Sequence, residues 1–220
     1  MIYQAGLWKM LFFLKRDVFQ LGKAETIYGL TSRVVILFLI SAMIFTINGL
    51  AGIGSHVFSF ELIKLPASQY EWLKSYFILG RFLLGILYAG IIIFFSSLLF
   101  WTLTNVPYKK LVVMQAAVFP VLLLEQAVNI VLVMWLGLPW YSSPFSMGAA
   151  AQYMTESPFF IYFLGCISIF KVWVIAVQIY GLSSLSRQRK PIIWLLVLGV
   201  HLIYWLGTSF LAFLDFQVVL

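Results

Sequence analysis

Acidic residues, histidine and cysteine are all scarce in this chain: seven Asp and Glu, two His and one Cys in 220 residues. The lone Cys166 has no intrachain disulfide partner and lies within an apolar run, so it gives no indication of redox compartment. No second His, Cys or carboxylate stands at i+3 or i+4 from His201, which leaves no metal-ligand spacing there. The patterns G-x-x-x-x-G-K-[ST], H-E-x-x-H, G-x-S-x-G and C-x-x-C are missing, and with them phosphate loops, zinc proteases, serine hydrolases and thiol redox sites. Paired-carboxylate chemistry inside a membrane needs two acids at one depth, and Glu125 has no such companion. An enzyme, a cofactor and a bound metal are therefore not expected. No internal repeat is visible, which removes support for an inverted-repeat transporter architecture. A cleavable signal is not expected either: the first 33 residues are charged throughout, and no short apolar segment ends in an A-x-A-like site.

Apolar side chains are what the chain has in quantity. They make up 63% of it, against 10% charged residues and a mean hydropathy of +1.03, whereas soluble domains are about half apolar and a quarter charged. Five runs, roughly 34–54, 76–103, 111–136, 159–182 and 192–214, each reach the ~20 residues that cross a ~30 Å hydrocarbon core as a helix. The expected fold is an all-α integral membrane protein: a five-helix transmembrane bundle over residues 34–220, preceded by a cytoplasmic segment, 1–33. Pro107 and Pro191 stand just ahead of helices, where a missing N–H costs little. Pro120 falls inside the third run and is expected to kink it.

Basic residues set the orientation. Ten of the 14 fall in three places: Lys9, Lys15, Arg16, Lys23 and Arg33 before the first run, Lys109 and Lys110 after the second, and Arg187, Arg189 and Lys190 after the fourth. If every run crosses once, these segments share one side, and the positive-inside bias puts the N-terminus in the cytoplasm and the C-terminus outside. The net charge of +7 is spread over short segments with no folded basic domain, so membrane lipids, and not nucleic acid, are the expected counterion. Between Leu7 and Leu21, the residues Leu7, Met10, Leu11, Leu14, Val18 and Leu21 share one helical face opposite Lys9, Arg16 and Gln20. That pattern predicts an amphipathic helix in the cytoplasmic headgroup layer, the alternative being a helix docked on the bundle. Trp140, Tyr141 and Tyr153 in the second outer loop are suited to an interfacial aromatic belt.

Polar side chains inside the runs are the candidate functional residues, since an ionisable group there costs about 2.5–3.5 kcal/mol on insertion scales. Glu125, Lys171 and His201 lie near the middles of the third, fourth and fifth runs, so an ion pair between Glu125 and Lys171 is geometrically reasonable. Asn129 follows Glu125 by one helical turn and Gln178 follows Lys171 by two, while Asn48 lies at a similar or slightly more external level. Arg81 is near enough to the outer end of its run to snorkel. Two readings compete: interhelical glue worth ~0.6–2 kcal/mol per hydrogen bond, and an ion or proton pathway. A single matched carboxylate favours glue. Gly85, Ala89 and Ser96 form a small-residue stripe that allows close helix packing.

From residue 105 onward the stretch N-V-P-Y-K-K-L-V-V-M-Q-A-A-V-F-P, ending at Pro120, resembles the short loop and proline-bearing third helix of the Yip-domain family of Ypt- and Rab-interacting membrane proteins. Phe170 and Trp173 as F-x-x-W, Gly181-Leu182, and the basic turn Ser186 to Lys190 resemble that family's fourth helix and its exit. The resemblance covers about Phe13 to the C-terminus and implies five spans with the N-terminus inside. A long polar N-terminus and a D-L-Y-G-P-like motif are absent, so binding to Rab-type GTPases is not carried over, and the likeness is to the short bacterial members. The implied role is a non-enzymatic accessory or assembly subunit of a membrane complex, an ABC-type exporter in a bacterial cytoplasmic membrane, with transporter subunits as partners. The alternative is a small secondary transporter or channel using the mid-membrane polar cluster.

Overall fold

A computed structural model describes residues 2–4, 6, 10, 11, 13–54 and 66–214. Lys9, like Leu7, lies outside the described residues. The chain begins with a short strand β1 (Ile2–Gln4), then α1 (Leu14–Lys23), and a second strand β2 (Thr26–Tyr28) that pairs in parallel with β1, Tyr3 opposite Ile27. Strands were not expected here. They tuck Tyr3 into the protein, where burial and the nearby Asp17 carboxylate push its phenol up to about 12.

Four helices are long and apolar enough to cross a membrane. They are α2 (Leu30–Leu50), the pair α3 (Ala67–Gly90) and α4 (Ser96–Leu103) joined without a break by a π turn at Ile91–Phe95, α5 (Tyr108–Leu136), and α9 (Lys190–Phe213). The α3–α4 rod counts 36 residues from Ser68 to Leu103, about 54 Å at 1.5 Å per residue. A ~30 Å core takes a rod of that length only if it tilts or projects. It also starts well before Tyr76, the expected beginning of this span. Helix α5 is the centre of the bundle. All nine residues from Leu111 to Phe119 are buried, and the helix runs uninterrupted through Pro120. On α9, Ile193, Val197, Val200 and His201 form a buried stripe, while Leu195, Leu202, Ile203 and Leu206 are exposed. An apolar outer face of that kind has no place in water and fits a lipid solvent.

The run expected as the fourth span is broken. It contains α7 (Pro158–Gly165) and α8 (Ile169–Leu185), separated at residues 166–168. The cause is tertiary. The segment after α5, with a short 3₁₀ turn at Trp140–Ser142 and helix α6 (Gly148–Met154), folds against the break. Ser146 bridges Ser168, the Met147 N–H donates to the Ile167 carbonyl at 2.9 Å, and the Ile169 N–H donates to the Phe145 carbonyl at 3.0 Å. These bonds satisfy backbone groups that an interrupted helix would strand in an apolar setting. Two glycines make the approach possible: a Cβ on Gly148 would lie 2.7 Å from the Gly165 Cα, and one on Gly165 would lie 3.0 Å from the Tyr141 Cα. Trp140 and Tyr141 stack on Tyr162, with centroids 5.8 and 5.0 Å apart, while Tyr153 is 94% exposed. So two of the three expected belt aromatics pack within the protein.

The N-terminal helix also departs from expectation. It begins at Leu14, and its face formed by Val18 and Leu21 is buried against the protein, chiefly α8, as is Met10 ahead of it, so the docked alternative replaces a helix laid only on headgroups. Phe13 and Phe19 remain exposed. This docking gathers the three basic segments at one end of the bundle. Lys110 Nζ donates to the Gly22 carbonyl at 2.7 Å, and Gln188 Nε2 donates to the Leu103 carbonyl at 2.8 Å.

Candidate functional site

Between α3, α5, α8 and α9, beneath the folded segment at 140–146, lies a cavity of about 750 Å³. Its walls are mostly apolar, with Ile91, Leu122, Phe145, Phe170 and Val200 among them. Glu125, Asn129, Lys171, Gln178 and His201, all proposed from sequence as one cluster, line it, and so does Ser96. Lys171 Nζ lies 3.5 Å from Glu125 Oε1, and the Glu125 side chain is 7% exposed. The ammonium makes a shorter bond, 2.9 Å, to the Cys166 carbonyl that the break in the helix sets free. Ser168 caps the restarted helix, its Oγ accepting the Lys171 N–H at 3.2 Å. The break therefore positions Lys171 twice, by its backbone and by its head.

A second chain of contacts runs deeper. His201 Nε2 is 2.8 Å from Gln178 Oε1, and Gln178 Nε2 donates to Gln115 Oε1 at 2.8 Å. This ties α9, α8 and α5 together and accounts for His201 as a hydrogen-bonded packing residue. Among the described residues no group of His, Cys and acids could hold a metal ion. On the far wall Ser96 Oγ and the Tyr204 hydroxyl are 2.9 Å apart, joining the rod to α9.

Two buried atoms at the cavity have no hydrogen-bond partner: Glu125 Oε2, an acceptor, and Trp205 Nε1, a donor. A buried polar atom left unmatched costs about 1–3 kcal/mol, and native proteins carry few of them. Both residues line the cavity, and neither atom finds its partner among the described residues.

Not every proposed residue belongs to this site. Asn48 is buried in α2 and does not line the cavity. Gly85 and Ala89 are packing residues: Ser41 Oγ donates to the Gly85 carbonyl at 2.7 Å, and Ala89 is fully buried. Lys15, Arg16, Lys109, Arg187, Arg189 and Lys190 are exposed, and Lys110 is half-buried. Arg81 reaches past the C-terminal end of α2, where its guanidinium donates to the Ile53 carbonyl at 2.6 Å. Sequence reasoning missed Gln115, Ser168, Tyr204 and Trp205. Gln115 could have been found as the lone amide in the run from Leu111 to Leu124, since neutral polar groups in a span also demand partners. No protein-family model, curated protein or solved structure matches this chain.

Proposed function

We propose that this protein is a non-enzymatic, membrane-embedded binding protein that holds a small neutral amphiphile between α5, α8 and α9. The carrying observation is that Glu125, whose buried Oε2 has no donor among the described residues, lines a cavity of about 750 Å³. Interhelical glue alone has no use for a void of that size beside the charged pair. The volume lies in the ~300–1,000 Å³ range of small-molecule sites, and apolar walls with a few convergent polar groups suit one. Charge decides the class of ligand. Glu125 and Lys171 cancel, so a charged head would leave one uncompensated charge among apolar side chains, at a cost of several kcal/mol. A hydroxyl adds no charge, donates to Glu125 and accepts from Trp205.

In this reading α7 and α8 together make a fifth crossing. The positive-inside bias, with the three basic segments gathered at one end, supports a cytoplasmic N-terminus and a bacterial cytoplasmic membrane. The accessory-subunit role implied by the Yip-domain resemblance is compatible, with the chamber holding a partner exporter's cargo; the small extramembrane mass supports it.

The test is the thermal unfolding of the purified protein with dodecanol, dodecylamine or dodecanoate added. The alcohol is expected to raise the melting temperature more than either charged analogue, and Gly207→Leu, which places a side chain in the open space at the chamber wall, is expected to abolish that rise. No preference for the alcohol, or a rise that survives Gly207→Leu, overturns the reading.

A further inference from the structure

A second cavity, of about 390 Å³, lies at the end of the bundle where the basic segments meet, between α1 and the inner ends of α5 and α8. Lys15 and Lys23 enter it from α1 and Lys110 from α5, while Tyr180 and Ser184 line it from α8. Among the described residues no carboxylate lines this groove. Asp17, the acid on α1, is buried and paired with Arg16 at 3.3 Å. Each ammonium carries three donors. Lys110 uses one on the Gly22 carbonyl, and Lys23 sits 4.2 Å over the Phe19 ring, which keeps its head in the groove. Three cations with donors to spare, carried by a docked helix and by a helix end, line one groove, and an anion with several acceptor oxygens can join them. Phosphate has that geometry.

We propose that this groove binds the phosphate of an anionic phospholipid headgroup. Two observations favour a lipid over soluble phosphate. Phe19 lines the groove while 61% exposed, so an apolar surface continues from the basic one. The groove also sits where α5 begins and α8 ends, Tyr108 and Leu185, the level at which membrane-crossing helices meet headgroups. The lipid phosphate binds here and its chains run along the bundle, so that α1 is fastened to the bundle through the lipid as well as through Val18 and Leu21.

The experiment measures thermal unfolding of the full chain in nanodiscs of phosphatidylcholine alone and of equal parts phosphatidylcholine and phosphatidylglycerol, and in detergent with inorganic phosphate. The mixed nanodisc is expected to raise the melting temperature. Lys15→Gln with Lys23→Gln is expected to lose that rise while melting normally in phosphatidylcholine, since Lys110 still holds Gly22. Arg187→Gln with Arg189→Gln removes the same charge from the same end outside the groove and is expected to keep the rise. Loss of the rise in both double variants, or no rise at all, overturns the site. An equal rise with inorganic phosphate overturns the lipid as its source. If the groove variant is unfolded in phosphatidylcholine, native mass spectrometry of the unaltered protein decides: retained phosphatidylglycerol supports the site, and equal retention of phosphatidylcholine overturns it.

Discussion

Two glycines on membrane helices show how differently the halves of this bundle are built. At Gly85, on α3, an added Cβ would lie 2.7 Å from the Ala42 Cα and 2.8 Å from the Ser41 carbonyl oxygen, both backbone atoms of α2. At Gly207, an exposed residue of α9 on the lining of the large cavity, an added Cβ would meet nothing within 4 Å. The α2–α3 half is tight where these helices cross: Ser41 bonds across it, and Phe45 packs on Tyr88 with centroids 5.3 Å apart, while toward Leu30 and Phe94 an apolar groove of about 420 Å³ carries, among the described residues, no unmatched polar group. The α5–α8–α9 half is open, holds the charged pair, and leaves polar atoms unmatched. Membrane helices associate through close packing and interhelical hydrogen bonds, without a hydrophobic drive of their own. Where a protein keeps a gap and polar groups, it forgoes packing that the other half shows to be attainable.

The largest effect is expected where charge meets that gap. Glu125→Leu strands Lys171, and removing one partner of a buried pair costs about 3–5 kcal/mol; the 23% exposure of the Lys171 side chain places this case at the low end. The double variant Glu125→Leu with Lys171→Met is expected to melt closer to the unaltered protein than the single one does. A double variant as unstable as the single would mean that the pair organises the open half beyond its charge balance. Next is Gly85→Ala. Backbone on both sides gives no room, so a loss of about 1–3 kcal/mol is expected from overpacking, read as a lower melting temperature with little change at the cavity. Smallest is Gly207→Ala, where a helical glycine is replaced in free space and a gain of about 0.5–1 kcal/mol is expected. Equal responses at Gly85 and Gly207 would erase the distinction between the halves.

The α2–α3 half is largely legible in the amino-acid sequence, because its signals are local. Apolar length marks α2 and the α3–α4 rod, as it does α5 and α9 across from them, and a small residue at position 85 marks a close approach. The clustering of Glu125, Asn129, Lys171, Gln178 and His201 is legible too, since antiparallel helices of similar length bring midpoints together. The break at 166–168 is not. Cys166-Ile167-Ser168 contains neither proline nor glycine and reads as part of one apolar run; the bonds that open it come from Phe145 and Met147, some twenty residues upstream. Tertiary partners override a good local helix signal. The same holds for α1, whose amphipathic face reads alike whether lipid or protein covers it.

The π turn at Ile91–Phe95 lets one rod serve both halves. A π turn holds one residue more than the α-helical turn it replaces, and each residue advances a helix by about 100°. Gly85, before the turn, meets Ser41 of α2; Ser96, after it, meets Tyr204 of α9. The extra residue works as a phase shifter between two otherwise independent contacts. Deleting one residue within the turn would leave the first contact seated and swing the second through roughly a quarter-revolution, so the rod's angular setting at the chamber wall is held by a single inserted peptide unit.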